Sequence, residues 1–272
     1  MTTAAHTHPA ASTAEQIFDS ILVGVDGSPE GLEAVRQAAL LAVAGGGLTL
    51  LAAWNPALPF GSAMGGPSGY ADTEGPRLRA LDALGAAGEH AADRPSPATK
   101  VARGLAWQAL IAEIERQGDT LVVVGSHGQS RTAGIISGST ATELIHKAPC
   151  SVLVARHAPE GFPRRIAVGV DGSPESAAAY SVARSLAMRF DAEVWPVVAH
   201  GGAGVDKRRV AEILDYHHED LQDEPVQALV AVAADADLLV VGSRGLQGVK
   251  ALGSVSERVA HRARCSTLIV RG

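Results

Sequence analysis

A chain of 272 residues is long enough for one large or two ordinary domains, and 46% hydrophobic with 19% charged residues is the composition of a globular protein. No run approaches the roughly 18 consecutive apolar residues of a membrane helix. The net charge of −6 has no long one-sign run behind it, which argues against nucleic acid as a main partner.

In chain order, residues 1–16 lack the basic start and apolar centre of a signal peptide and read as a disordered tail on a cytoplasmic protein. Ser20–Val25 is a short apolar run expected as a strand, followed by a helix Pro29–Ala44 with proline in its first turn. Leu48–Trp54 reads as a strand and Asn55–Pro76 as a Pro/Gly-rich loop. A helix near Arg77–Ala92, a strand near Lys100–Arg103 and a helix Ala106–Gln117 follow. Strand Thr120–Val124 leads into a glycine loop, then a helix Thr140–Lys147 and a strand Ser151–Ala155. Continuous apolar strands separated by helices imply a buried parallel sheet covered on both faces. Trp54, Trp107 and Trp195 fall at strand or helix positions that imply packing.

The pattern then repeats. Ile21-Leu-Val-Gly-Val-Asp-Gly-Ser-Pro-Glu30 returns as Ile166-Ala-Val-Gly-Val-Asp-Gly-Ser-Pro-Glu175, and Leu121-Val-Val-Val-Gly-Ser-His-Gly128 as Leu238-Leu-Val-Val-Gly-Ser-Arg-Gly245. Gly138-Ser139 with Glu143 reappears as Gly253-Ser254 with Glu257, and Cys150–Arg156 as Cys265–Arg271. The expected division is a tail over 1–16, one domain over 17–158 and a shortened second over 159–272, the join lying where Pro159, Gly161 and Pro163 interrupt periodicity. The two cysteines, Cys150 and Cys265, are read as buried residues entering strands, not as a disulfide or metal pair.

The second copy is trimmed. Asp26 to Gly125 spans 99 positions, and Asp171 to Gly242 only 71. The interval between strand Val194–Ala199 and helix Val226–Ala234 holds one helical stretch, Asp206–His218, and no convincing strand, so the second copy is expected to lack its third strand. That loss is tolerable only at a sheet edge. His217-His218 beside Glu219-Asp220 would sit on the helix, where adjacent residues point about 100 degrees apart, and reads as a solvated face.

In open parallel sheets ligands bind at the C-terminal strand ends, where both the Asp26 and Gly125 motifs fall. Gly125-Ser-His-Gly128, nine further residues, then Gly138-Ser139-Thr140 opening a helix is a pattern for anion capture: glycines permit close backbone approach and helix-start N–H groups face negative charge. Ser139 and Thr140 add hydroxyl donors, and Arg131 is a candidate phosphate partner. No Gly-Lys-Ser/Thr follows, so the loop is not a Walker loop. Asp26 has an alternative role as a turn or cap residue, and His127 as a solvated loop residue.

Val-Gly-Val-Asp26-Gly-Ser paired with Gly125-x2-Gly128-x9-Gly138-Ser139, closed by the Cys-x-Val-Leu-Val strand, resembles the universal stress protein family, as two tandem domains from about residue 19. The resemblance implies two α/β Rossmann-like (adenine nucleotide alpha-hydrolase-like) domains, each an open parallel sheet of order 3-2-1-4-5, the second without edge strand 3. It also implies that ATP, with or without Mg2+, is bound. Carried onto this sequence, Gly24, Val25 and Asp26 with Ala53 would meet the base. Val124, Gly125, His127 and Gly128 would meet ribose and phosphates, and Gly138, Ser139 and Thr140 would hold the phosphate chain. The second-copy counterparts are Gly169, Val170, Asp171 and Val198, then Val241, Gly242, Arg244 and Gly245, then Gly253, Ser254 and Val255. Only seven residues separate Gly245 from Gly253, so the better-formed site is expected in the first domain.

No catalytic triad or metal-ligand spacing is present in the sequence, so the expected function is a nucleotide-dependent sensor or regulator in stress response, not an enzyme. The alternatives are a slow ATPase and a scaffold whose second domain has lost nucleotide. The resemblance further implies that the two final strands pair, making an internal pseudo-dimer; two chains would form a homodimer, with no nucleic-acid or membrane partner.

Overall fold

The computed structural model describes residues 17–43, 46–56, 73–91, 97–127, 139–201, 205–214, 218–243 and 254–271. In the first half these form β1 (Ser20–Val25), α1 (Pro29–Leu41), β2 (Gly47–Trp54), α2 (Glu74–Glu89), β3 (Ala98–Arg103), α3 (Ala106–Gln117), β4 (Leu121–Gly125), α4 (Ser139–Lys147) and β5 (Ser151–Ala155). The second half has β6 (Arg165–Gly169), α5 (Pro174–Phe190), β7 (Glu193–Ala199), α6 (Lys207–Ile213), β8 (Glu219–Leu221), α7 (Pro225–Val232), β9 (Leu238–Gly242), α8 (Val255–Arg262) and β10 (Ser266–Val270).

All ten strands lie in one sheet of order β3-β2-β1-β4-β5-β10-β9-β6-β7-β8. Each half therefore has the expected 3-2-1-4-5 order with parallel pairs. The halves meet where β5 and β10 pair antiparallel, Leu153 opposite Leu268. Strand alternation sends Ile21, Val23 and Val25 to one face and Leu22 to the other. The first face is covered by α1, α2, α5 and α6, the second by α3, α4, α7 and α8. Both cores run across the seam.

The expected loss of the third strand in the second half is corrected. β8 pairs parallel with β7, Glu219 opposite Val197 and Leu221 opposite Ala199, and occupies that edge with three residues. A Glu-Asp-Leu strand at an edge needs almost no apolar pattern, so periodicity did not reveal it. The same correction moves Glu219 and Asp220 from a helix face to a strand. Asp220 Oδ1 lies 2.6 Å from His200 Nε2 and Oδ2 lies 3.5 Å from His218 Nε2, which holds the Asp220 carboxyl below its ordinary pKa. Pro196 in β7 precedes the first β8 contact at Val197, so its missing N–H interrupts no ladder on that side.

Several contacts bind the halves together besides the strands. Arg156, after β5, donates to Ala260 O (2.8 Å) and His261 O (3.4 Å) at the end of α8, and Arg271, after β10, donates to Ile145 O at the end of α4. Each guanidinium thus meets exposed carbonyls at the negative end of the other half's helix. Ser266 and Ser151 repeat the symmetry, their hydroxyls accepting from Arg156 N (3.0 Å) and Arg271 N (3.2 Å). The connection from β5 to β6 is anchored as well, because Phe162 is buried in the first-face core. Cys150 and Cys265 are free and buried, and burial pushes both thiols up to about 12.

At the outer edge of the first half, Glu113 of α3 accepts from Arg116, Lys100 and Gln117. The Arg116 bond, then the others, hold its carboxyl down at about 2 from 4.5 against a desolvation penalty. A depressed carboxylate contributes stability above its unfolded pKa and loses it as pH falls through the folded one. Unfolding midpoints in urea should accordingly drop between about pH 4.5 and pH 2, and Glu113→Gln should flatten that decline while lowering stability near pH 7. An unchanged acid limb in the variant would show that the cluster has no linkage role.

Candidate functional site

The two Asp-Gly-Ser-Pro segments fold alike. Asp26 Oδ1 accepts from Ser28 N (3.0 Å) and Ser28 Oγ (2.6 Å), Gly27 turns with φ 77°, and Ser28 Oγ caps α1 by accepting from Gly31 N (3.1 Å). In the second half Asp171 Oδ1 accepts from Ser173 N (2.9 Å), Gly172 turns with φ 86°, and Ser173 Oγ accepts from Ser176 N (3.2 Å). A strand thus ends, reverses through a left-handed glycine and enters a capped helix in four residues. The turn role weighed for Asp26 is present in both halves.

Gly125 and Gly242 end the neighbouring strands β4 and β9. A Cβ at Gly125 would meet the Glu30 carbonyl at 2.8 Å, and one at Gly242 the Glu175 carbonyl at 2.4 Å. These glycines let the first turn of α1 or α5 lie against the strand end. The sequence reading gave them to phosphate; the structure gives each a packing reason that operates with or without a ligand.

In the second half these parts enclose a cavity of about 360 Å3. Its apolar lining includes Val197, Ala199, Val205, Pro225, Leu229 and Val241. Its polar groups include Asp171, Ser173, Glu175, Ser243, Ser254 and Ser256. Ser254 Oγ caps α8, accepting from Glu257 N (3.2 Å). Of the expected second-half residues, Gly169, Val170, Asp171, Val241, Gly242, Ser254 and Val255 all line this cavity. Val198 does not. It is 1% exposed in the core on the opposite face, while its neighbours Val197 and Ala199 face the cavity. A one-residue offset in a strand reverses the face, and β-sheet register makes Ala199 the counterpart of Ala53, each lying two residues beyond the partner of the β1 or β6 glycine.

In the first half, Gly24 is the next-to-last residue of β1, with Leu110 and Val124 at 3.0 Å from where its Cβ would be, as Gly169 has Leu229 at 3.1 Å. Ala53 is half-buried against the second-face core and Val124 is buried in it. His127 Nδ1 lies 3.1 Å from Ser126 Oγ, and Thr140 is half-buried in the first turn of α4. Ser139 begins that helix. Gly128, Arg131 and Gly138, and in the second half Arg244, Gly245 and Gly253, lie outside the described residues, as does His217. Sequence reasoning missed Pro225 and Leu229 of α7 and Val205, which reach the cavity from other elements, and Ile145 and His146, which reach it from the other half. Among the described residues no group of three or more His, Cys, Asp or Glu could hold a metal ion, and no helix is long and apolar enough to cross a membrane.

A doubled, mostly parallel α/β sheet with a cavity at its carboxyl edge defines a tandem protein of Rossmann-like α/β type. The model of the universal stress protein family matches residues 18–156 and 203–271, and the chain belongs to that family. It is similar to universal stress protein Rv2623 of Mycobacterium tuberculosis, with 30% identity across 92% of this chain and 96% of that one. Rv2624c of the same organism is 29% identical over 94% and 98%. The fold is also that of a universal stress protein from Archaeoglobus fulgidus, TM-score 0.71 at 20% identity, covering 93% of this chain and 96% of that one.

Proposed function

We propose that this protein binds an adenine nucleotide, ATP with or without Mg2+, at the carboxyl edge of its sheet, and acts as a nucleotide-dependent regulator in stress response instead of turning the nucleotide over. The observation that carries the reading is the second-half cavity. At about 360 Å3 it falls in the range of small-ligand sites, with an apolar floor suited to a flat base and a few convergent polar groups. Its open rim includes the start of α8, where backbone N–H groups favour a phosphate. The residues present therefore fit a nucleotide, and any Mg2+ would be held chiefly through phosphate oxygens and water. The first half repeats the strand ends and turn and keeps the full glycine spacing from Gly125 to Ser139, so the better-formed site expected there belongs to the same proposal, as does a homodimer.

Denaturing the purified protein and identifying released nucleotide, followed by calorimetric titration with ATP, ADP and AMP, tests the reading. Co-purified or titratable adenine nucleotide near one or two per chain is the expected result. Absence of binding by all three would leave the scaffold reading, and steady phosphate release on added ATP would favour an ATPase.

A further inference from the structure

The second-half cavity is not built by that half alone. Ile145 and His146, in the last turn of α4, line it alongside Ser254, Val255 and Ser256 at the start of α8. The antiparallel seam between β5 and β10 brings the two helices together, so that His146 Nε2 stands 3.2 Å from Glu257 Oε1. Glu257 is itself buried in the first turn of α8, with its N–H held by the Ser254 cap.

Two further observations give His146 a purpose toward a ligand. Among the described residues lining the cavity it is the one side chain able to carry positive charge, while Asp171 and Glu175 carry negative charge. Its Nε2 is shut off from solvent beside Glu257, which fixes that edge of the ring, so it is the remaining edge of the imidazole that borders the cavity. The other histidine near Glu257 is His261, at 3.8 Å, and burial holds its pKa down, favouring the neutral ring.

We propose that the second-half cavity is a composite nucleotide site, in which the first half supplies His146 to hold the phosphate-bearing end of the ligand and Glu257 positions the imidazole. The proposal rests on the nucleotide reading above. It places a cationic or hydrogen-bonding side chain beside the α8 start, where an anion is otherwise met by two carboxylates.

Calorimetric titration of the full chain with ATP and AMP tests it. His146→Ala should weaken one site for either nucleotide by about tenfold, the loss of one charge-assisted hydrogen bond, and should lower the thermal transition as the buried Glu257 carboxylate loses a partner. His146→Gln, closer in size, serves if the alanine variant folds poorly, and should weaken the site several-fold. Glu257→Gln should weaken the site in the native background and have no further effect beside His146→Ala, a coupling that a merely structural carboxylate would not show. Wild-type binding with unchanged affinity and stoichiometry in the His146 variants overturns the composite site and leaves the nucleotide reading standing. Failure of the wild type to bind ATP and AMP overturns both.

Discussion

Gly242→Val should prevent stable folding. The new Cβ would lie 2.4 Å from the Glu175 carbonyl oxygen, and the obstacle is backbone in the first turn of α5, which cannot rotate aside like a side chain. Overpacking a core usually costs about 1–3 kcal/mol, and a β-branched residue against backbone belongs at or above the upper end. Gly85 provides the contrast. It lies in α2 with nothing within 4 Å of a built Cβ, so Gly85→Ala should stabilise by about 0.5–1 kcal/mol through the unfolded chain. Urea unfolding of both variants checks the pair. If Gly242→Val unfolds at the wild-type midpoint, the close approach is not rigid. The same geometry means that bulky replacements at Gly125 or Gly242 report on packing before they report on ligand.

Leu153→Ala should cost about 3 kcal/mol. Leu153 is fully buried, faces Leu268 across the seam and sits in a core that continues from one half into the other. Leucine truncations at such sites run from about 2 to 5 kcal/mol, depending on how far the surroundings collapse. Because the cores are continuous, the loss should lower one cooperative transition for the whole chain, read equally by fluorescence and by circular dichroism. Two separated transitions, with only one moved, would show that the halves unfold independently and that the seam contributes little.

What could be read from sequence follows from what buries. β4, β5, β9 and β10 are buried, largely apolar runs closed by glycine or arginine, and their duplication led to the parallel order through the family resemblance. β8 was not legible because an edge strand of two acids and a leucine resembles the loop around it. Helix ends drifted where capping is weak: α1 stops at Leu41, short of the expected Ala44, and α2 starts at Glu74 inside a stretch read as loop. The site was legible where both halves carry the same letters, as at Asp171 and Gly242. It failed at Val198, where the shortened second half has no matching letters to set the register. His146 could not be read as a cavity residue at all, since its place depends on the seam and not on its neighbours in the chain.

The fused seam has a consequence for how the two halves can change. Joined in one chain, their encounter is intramolecular, so the pairing of β5 with β10 does not weaken on dilution as a two-chain dimer would. Fusion also releases each half from matching its twin. Gln37 of α1 holds Arg156 O at 2.7 Å, yet the position 145 residues on is Val182, and Arg189 clasps the end of α1 at Leu40, Leu41 and Ala42 where the first half carries Ala44. A homodimer must make every contact twice or not at all. This chain makes these two once, on the side where each is useful, while keeping the paired arginine and serine contacts of the seam.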